Sequence, residues 1–335
     1  MSILRIQRTV LARWLIGLVL WGILTACDPL AAPLATHQTI LVTAIPSDTP
    51  PPTALPTFTS TSLPTAPNVT ATPTLAPCLS VGGQVQEVIE NFSEVAQENL
   101  GYRVYLPPCY TPSRRRFPTL YLLHGANSTE EQWQDLGTIA KMEQGLGLGV
   151  LAPFIIVMPD GGALGNLNSF PPNASYETVL LQELVPSIDR NFCTIQNRDH
   201  RAIGGISRGG FWALSVAMRF PTVFGSVGGH SVALDATSSP PEHNPLELAR
   251  NAPSLDDAPL RIYLDNGADD AVGLSLQTFS GRLSQRQVPH TYVIHPTGGH
   301  DEAYWSSHIG EYLEFYSKNW EKSLANLPSC LDPSP

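Results

Sequence analysis

The stretch Arg201-Ala202-Ile203-Gly204-Gly205-Ile206-Ser207-Arg208-Gly209-Gly210 constrains the fold of this chain more than any other. It holds a G-x-S-x-G pattern centred on Ser207, preceded by an apolar strand-like run and followed by a helix-like segment from Phe211 to Arg219. A sharp strand-to-helix turn of this kind lifts a serine oxygen clear of a sheet. Glycines two before and two after are needed because side chains there would collide with the neighbouring strand and helix. The pattern by itself is also met in ordinary glycine-rich turns. The strand before it, the helix after it and suitable partners downstream favour a nucleophilic serine.

Other segments fit the same frame. Thr119–His124 and Phe154–Met158 are near-continuous apolar runs, as in strands buried on both faces. Val85–Phe92 and Tyr102–Leu106 read as an antiparallel start. Val223–Gly228, Leu260–Asp265 and His290–His295 read as further strands. Ser128–Glu131 resembles a capping box that opens a short helix carrying Trp133. Helical stretches follow over 138–144, 176–188 and 274–286, and a last one carries Trp305, Ile309, Leu313 and Tyr316. Strands alternating with helices imply a mostly parallel central sheet with helices on both faces, an α/β class. Residues 232–258, with paired prolines, read as an excursion over one end of the sheet.

A serine hydroxyl needs an adjacent base, and the base needs an orienting group. In an α/β-hydrolase arrangement these follow in the order Ser, Asp/Glu, His. Gly267-Ala268-Asp269-Asp270 follows the 260–265 strand, and His300 follows the last strand in a glycine-rich loop. Asp270 is the first choice of acid, ahead of Asp269 and Asp265; such acids also cap the helix that comes next. His300 is preferred as base over His295, which ends a strand, and His308, which falls on a helix. A tetrahedral oxyanion would take the backbone N–H of Arg208 and that of Ala126, with Asn127 as the alternative. His124, Asn127, His230, Ser231 and Trp305 are candidates for pocket lining. Gly229-His230-Ser231-Val232-Ala233 imitates a second serine motif but lacks its last glycine. No metal or organic cofactor is implied.

The first quarter of the chain is not globular in composition. Arg5, Arg8 and Arg13 precede an apolar core, Trp14–Leu24, too short for a comfortable bilayer span. Leu24-Thr25-Ala26-Cys27 resembles a bacterial lipobox, so residues 1–27 read as a lipoprotein signal with Cys27 as the lipidated residue. Residues 28–77 are rich in Pro, Thr, Ala and Ser, lack Lys, Arg and Gly, and read as an extended stalk. At about 3.1 Å per residue it could reach on the order of 100 Å. The globular region is expected over 78–330, with a tail at 331–335. A net charge of −10 argues against nucleic acid as a partner. Membrane contact is expected through the lipid anchor alone, at the outer face of the cytoplasmic membrane or in the cell envelope. Cys78, Cys109, Cys193 and Cys330 form an even set, as in an exported disulfide-bonded domain. Bridges Cys78–Cys330, tying the ends, and Cys109–Cys193, joining the starts of two neighbouring strands, are expected.

The chain resembles the putative esterase family of α/β-hydrolases. The resemblance rests on Val104–Pro107, Tyr121–Gly125, Ile156–Gly161, Glu183–Pro186, Gly205–Gly210, Gly267–Asp270 and Gly299-His300 through Trp305. Relatives in that family include feruloyl and acetyl-xylan esterases, S-formylglutathione hydrolase, enterochelin esterases and mycolyltransferases. The resemblance implies Ser207 as nucleophile, Asp270 as acid and His300 as base. Where relatives often carry methionine after the serine, this chain has Arg208, whose side chain either nears the cleft or points away. The expected activity is extracytoplasmic serine carboxylic-ester hydrolysis on a small-molecule or carbohydrate-linked ester. An acyltransferase using the same triad and a catalytically silent binding module are the alternatives.

Overall fold

A computed structural model describes Cys78 and residues 81–88, 91–234, 238–332 and 334. The expected signal with Cys27, and the expected stalk, lie outside the described residues. Eight strands form one sheet: β1 (Gln84–Val88), β4 (Tyr102–Leu106), β5 (Thr119–Leu123), β6 (Ile155–Pro159), β7 (Arg201–Ile206), β8 (Ser226–His230), β9 (Arg261–Gly267) and β10 (Thr291–His295). Two short strands, β2 (Phe92–Ser93) and β3 (Glu98–Asn99), pair separately. The sheet order is β1-β4-β6-β5-β7-β8-β9-β10. β4 pairs antiparallel with β1 and β6, and every pair from β6 to β10 is parallel. This is the mostly parallel α/β sheet expected from the alternation of strands and helices.

The central strands are apolar along their whole length because both sheet faces are covered. Successive residues point to opposite faces. Thus Tyr121, Leu123, Ile155, Val157 and Ile203 join a core with Phe211, Trp212 and Leu214 of the helix Arg208–Arg219. Leu120, Leu122, Ile156, Met158 and Ile206 join the opposite core with Trp133, Met142, Tyr312 and Leu313. The latter set comes from the helices Gln132–Asp135, Thr138–Gly147 and Glu302–Ser317.

Several local expectations are corrected. The helix carrying Trp133 starts after Glu131, which makes no side-chain cap, so the Ser128–Glu131 capping box does not form. The segment 176–188 is helical, but Val179–Leu184 is wound as a π-helix. The strand expected at 223–228 is shifted to Ser226–His230 because Phe220–Phe224 closes a turn first. Inside the 232–258 excursion, helices form at Pro245–Asn251, capped by the Asn244 side chain, and at Ser254–Asp257. No helix among the described residues is long and apolar enough to cross a membrane.

All four expected cysteines are bridged, but as Cys78–Cys109 and Cys193–Cys330. The expected pairing fails for two reasons. Antiparallel β1 and β4 place Gln84 opposite Leu106, which brings Cys78 to Cys109 just beyond β4. The C-terminal tail runs back past Arg114–Arg116, donating from Cys330 N–H to Arg114 O, and so reaches Cys193. β5 and β7 are neighbours as expected, yet Cys193 meets the Tyr110 hydroxyl there at 2.8 Å rather than Cys109.

Candidate active site

The parallel strands end together at one rim of the sheet, where Leu123 is level with Gly205, Ile206 with His230, and Gly267 with His295. In open α/β sheets this carboxyl edge is where ligands bind. Loops leaving β5, β7, β9 and β10 therefore carry Ala126, Ser207, Asp270 and His300 to one place.

Ser207 joins β7 to the helix Arg208–Arg219 with φ 53° and ψ −114°. Left-handed backbone at a non-glycine residue costs roughly 1–3 kcal/mol and persists only when its surroundings enforce it. Here the Ser207 N–H donates to His230 O at 2.9 Å. The two flanking glycines are required by contact. A Cβ on Gly205 would lie 2.2 Å from the Gly209 carbonyl carbon, and one on Gly209 would lie 2.3 Å from Leu123 O.

The serine hydroxyl is 2.9 Å from His300 Nε2. His300 Nδ1 is 3.1 Å from Asp270 Oδ1 and 3.4 Å from Oδ2. With Nδ1–H facing the carboxylate, Nε2 carries the lone pair that meets the serine hydroxyl. The Asp270 side chain is fully buried, while that of His300 is 31% exposed, so the imidazole faces the opening and the carboxylate does not. Burial alone would raise the Asp270 pKa. Hydrogen bonding with His300, the nearby Ser231 hydroxyl and the Val272 N–H outweigh it and hold the carboxyl below its usual value. The Ser231 hydroxyl acts on Asp270 by proximity, since it is buried without a hydrogen bond of ordinary geometry. Backbone bonds from Ala268 N–H to His295 O and from Asp269 N–H to Gly298 O lock the loop of Asp270 to the loop of His300. The ring of Trp305 meets that of His300 edge-on at 5.2 Å.

Residues 93–316 match the Putative esterase family. The chain belongs to this family. It is 37% identical over 137 residues to an esterase of Mycobacterium tuberculosis, a span covering 40% of this chain and 29% of that protein. It is 34% identical over 155 residues to an endo-1,4-beta-xylanase/feruloyl esterase of Xylanibacter ruminicola, covering 44% of this chain and 21% of that protein. The chain thus spans less than a third of the length of these curated relatives. Among solved structures, a ferulic acid esterase is similar with a TM-score of 0.64 and 26% identity, over 71% of this chain and 99% of that one. An S-formylglutathione hydrolase from Staphylococcus aureus shares the fold with a TM-score of 0.61 and 19% identity, over 70% and 99%.

In this member of the Putative esterase family Asp269, Asp265, His295 and His308 do not contact Ser207 or His300 through their side chains. Asp269 is exposed, and its N–H donates to Gly298 O. Asp265 is fully buried, accepting from Tyr304 and Tyr312 hydroxyls at 2.6 and 2.8 Å and lying 2.7 Å from His230 Nδ1. His295 and His308 lie against each other with ring centroids 3.8 Å apart and their planes tilted by 44°. His230, expected to line the pocket, does not: it is fully buried, stacked on Tyr312 at 3.7 Å and bonded to Tyr316 at 3.0 Å. Ser231 is equally buried beside Asp270 and does not open to the cleft. His124 is also turned inward, with Nδ1 at 2.7 Å from Gly125 O and Nε2 accepting from the Gly161 N–H at 2.8 Å.

On the rim after β5, the Gly125 N–H is taken by the Gln132 side chain at 2.8 Å and the Asn127 N–H by Asn166 Oδ1 at 3.0 Å. The Ala126 N–H between them makes no hydrogen bond among the described residues. Gln132 went unnoticed in the sequence, where it reads as one more polar residue of a helix start. The Arg208 side chain is buried, donating to Gly165 O at 3.1 Å, Asn168 Oδ1 at 2.6 Å and Leu167 O. Its guanidinium also lies over the Phe211 and Trp212 rings. It therefore fastens the short helix Gly162–Asn166 and the loop that follows it to the elbow, and nothing in the motif foretells these partners about forty positions away. Phe170 of the same loop packs on Trp212 and His243, and a cavity of about 540 Å³ lies between residues 168–173 and 238–240.

Proposed function

We propose that the chain is an extracytoplasmic serine carboxylic-ester hydrolase that works through an acyl-enzyme on Ser207. The observation that carries this reading is the continuous Ser207–His300–Asp270 relay at the carboxyl edge of the sheet. Ser207 Oγ attacks the ester carbonyl as His300 Nε2 takes its proton. His300 returns that proton to the leaving alkoxide, and Asp270 stabilises the imidazolium in between. Water, deprotonated by His300, then releases the acid and restores the serine. Backbone N–H groups of Ala126 and Arg208 are the donors assigned to the oxyanion. Asn127 is the poorer choice, because its N–H is engaged by Asn166. Each such donor is worth roughly a hundred- to a thousandfold in rate.

Aromatic esters of plant-type carbohydrates, such as feruloyl esters, are the first substrates to examine, given the ferulic acid esterase and xylanase/feruloyl esterase similarities. Export is supported by the two disulfides, which persist in oxidising compartments. Lipidation at Cys27 is the anchor assigned to it. The test is hydrolysis of acetyl, butyryl, octanoyl and feruloyl esters by the purified chain and by Ser207→Ala. Hydrolysis by the wild type alone supports the reading. A folded wild type that cleaves none of them points instead to a silent binding module.

A further inference from the structure

The last strand and the last helix bring together three side chains that the proposed chemistry does not use. His295 ends β10, the edge strand of the sheet, while His308 and Glu311 stand three apart on the helix Glu302–Ser317. Residues at that spacing share one helix face. One ligand atom from each of the three lies within 4.8 Å of the other two. We propose that His295, His308 and Glu311 bind one first-row divalent cation, Zn2+ in the first place, and so staple β10 to this helix across the base of the loop that carries His300.

Three observations support the assignment. First, the donors are already oriented from behind, as metal-binding side chains generally are. His308 Nδ1 lies 2.7 Å from Tyr304 O, which makes Nδ1 the protonated nitrogen and leaves Nε2 with its lone pair. Glu311 Oε1 accepts from the Tyr263 hydroxyl at 2.8 Å, leaving Oε2 turned to His295. Second, His295 Nε2 is buried without a hydrogen bond, with Glu311 Oε2 at 3.5 Å. A buried polar atom left unpaired is costly, and a metal bond at this nitrogen would remove that cost. Third, two imidazoles and one carboxylate are a donor set that Zn2+ takes with a further position for water. Bonds of about 2.1 Å put tetrahedral donors roughly 3.4 Å apart, so the three need only draw inward. Glu311 is exposed and the two histidines are half-buried, so their side chains can do so.

The consequence for the fold is specific. Residues 296–301 leave β10 at His295 and enter the helix at Glu302. A cation held between His295 and His308 would close that loop at its base and stabilise the placement of His300 independently of substrate.

The test is calorimetric titration of the full chain, stripped with EDTA, with ZnCl2, alongside Co2+ as a spectroscopic probe. Wild type should bind one equivalent with micromolar or tighter affinity, show visible Co2+ bands of a low-coordinate site, and gain several degrees in melting temperature. Glu311→Gln alters an exposed side chain and His308→Ala a half-buried one. Each should keep the wild-type far-UV spectrum and weaken Zn2+ binding at least tenfold. His300→Ala should bind Zn2+ as wild type does. The proposal is overturned if no single-equivalent binding is found. It is equally overturned if Glu311→Gln and His308→Ala bind like wild type, or if His300→Ala is the variant that loses the metal.

Discussion

Replacing Asp270 by Asn removes a charge while leaving the shape of the relay almost intact, and so isolates what the acid contributes. Asp270 Oδ1 accepts two hydrogen bonds, from the Val272 N–H at 3.0 Å and from His300 at 3.1 Å. In Asp270→Asn the Val272 N–H selects the carbonyl oxygen for that place, so the Asn can still accept from His300 Nδ1–H. The tautomer is then preserved and the loss is that of the negative charge facing the imidazolium. Unit charges about 4 Å apart interact by about 4 kcal/mol at an effective dielectric of 20. At 1.36 kcal/mol per tenfold, this is close to a thousandfold in rate. The His300 side chain is 31% exposed, and solvent screening lowers the figure, so kcat/KM should fall by about 10²–10³. Hydrolysis of p-nitrophenyl acetate by Asp270→Asn and Asp269→Asn, with melting curves to show both folded, reads this directly. A fall below tenfold in Asp270→Asn, or an equal fall in Asp269→Asn, refutes the assignment of the acid.

Gly209→Ala should abolish measurable hydrolysis and lower stability by about 1–3 kcal/mol, because the added methyl would overlap Leu123 O and His124 O; wild-type turnover in this variant would contradict the tight elbow. Removing Cys193–Cys330, which closes a separation of 137 residues, should cost about 4–5 kcal/mol, and removing Cys78–Cys109, with a separation of 31, about 3–4; urea midpoints of the paired Ser variants check the order. Burial holds His243 and His200 below their ordinary pKa, with Arg219 adding to the effect at His243 and Asp199 opposing it at His200. The unfolded chain therefore binds more protons than the folded one as pH falls below about 6.5. Their contribution is fully present above that value and is lost as pH drops through the lowered folded values, so the melting temperature should decline from pH 7 to 5; a flat or rising profile contradicts it.

The parts of this molecule that sequence reveals are those carried by local pattern. The Ser207 turn is visible because its strand, glycines and helix are contiguous, and His300 because it follows the last apolar strand. β4 is legible to the residue at Tyr102–Leu106, and of the adjacent pair Asp269 and Asp270 it is Asp270 whose side chain meets His300. What stayed hidden depends on distant partners. The cysteine pairing is set by β1 lying antiparallel on β4 and by the return of the C-terminal tail. His230 shares the apparent position of a pocket residue, but the Tyr312 and Tyr316 rings of the last helix enclose it. Arg208 takes its partners from a loop that no local rule connects to the elbow.

The most direct measurement is labelling of the purified chain with a fluorophosphonate, followed by peptide mass spectrometry. One covalent adduct is expected, on Ser207, absent from Ser207→Ala and strongly slowed in His300→Ala. An unlabelled folded chain, or an adduct on Ser231 or any other serine, would contradict it.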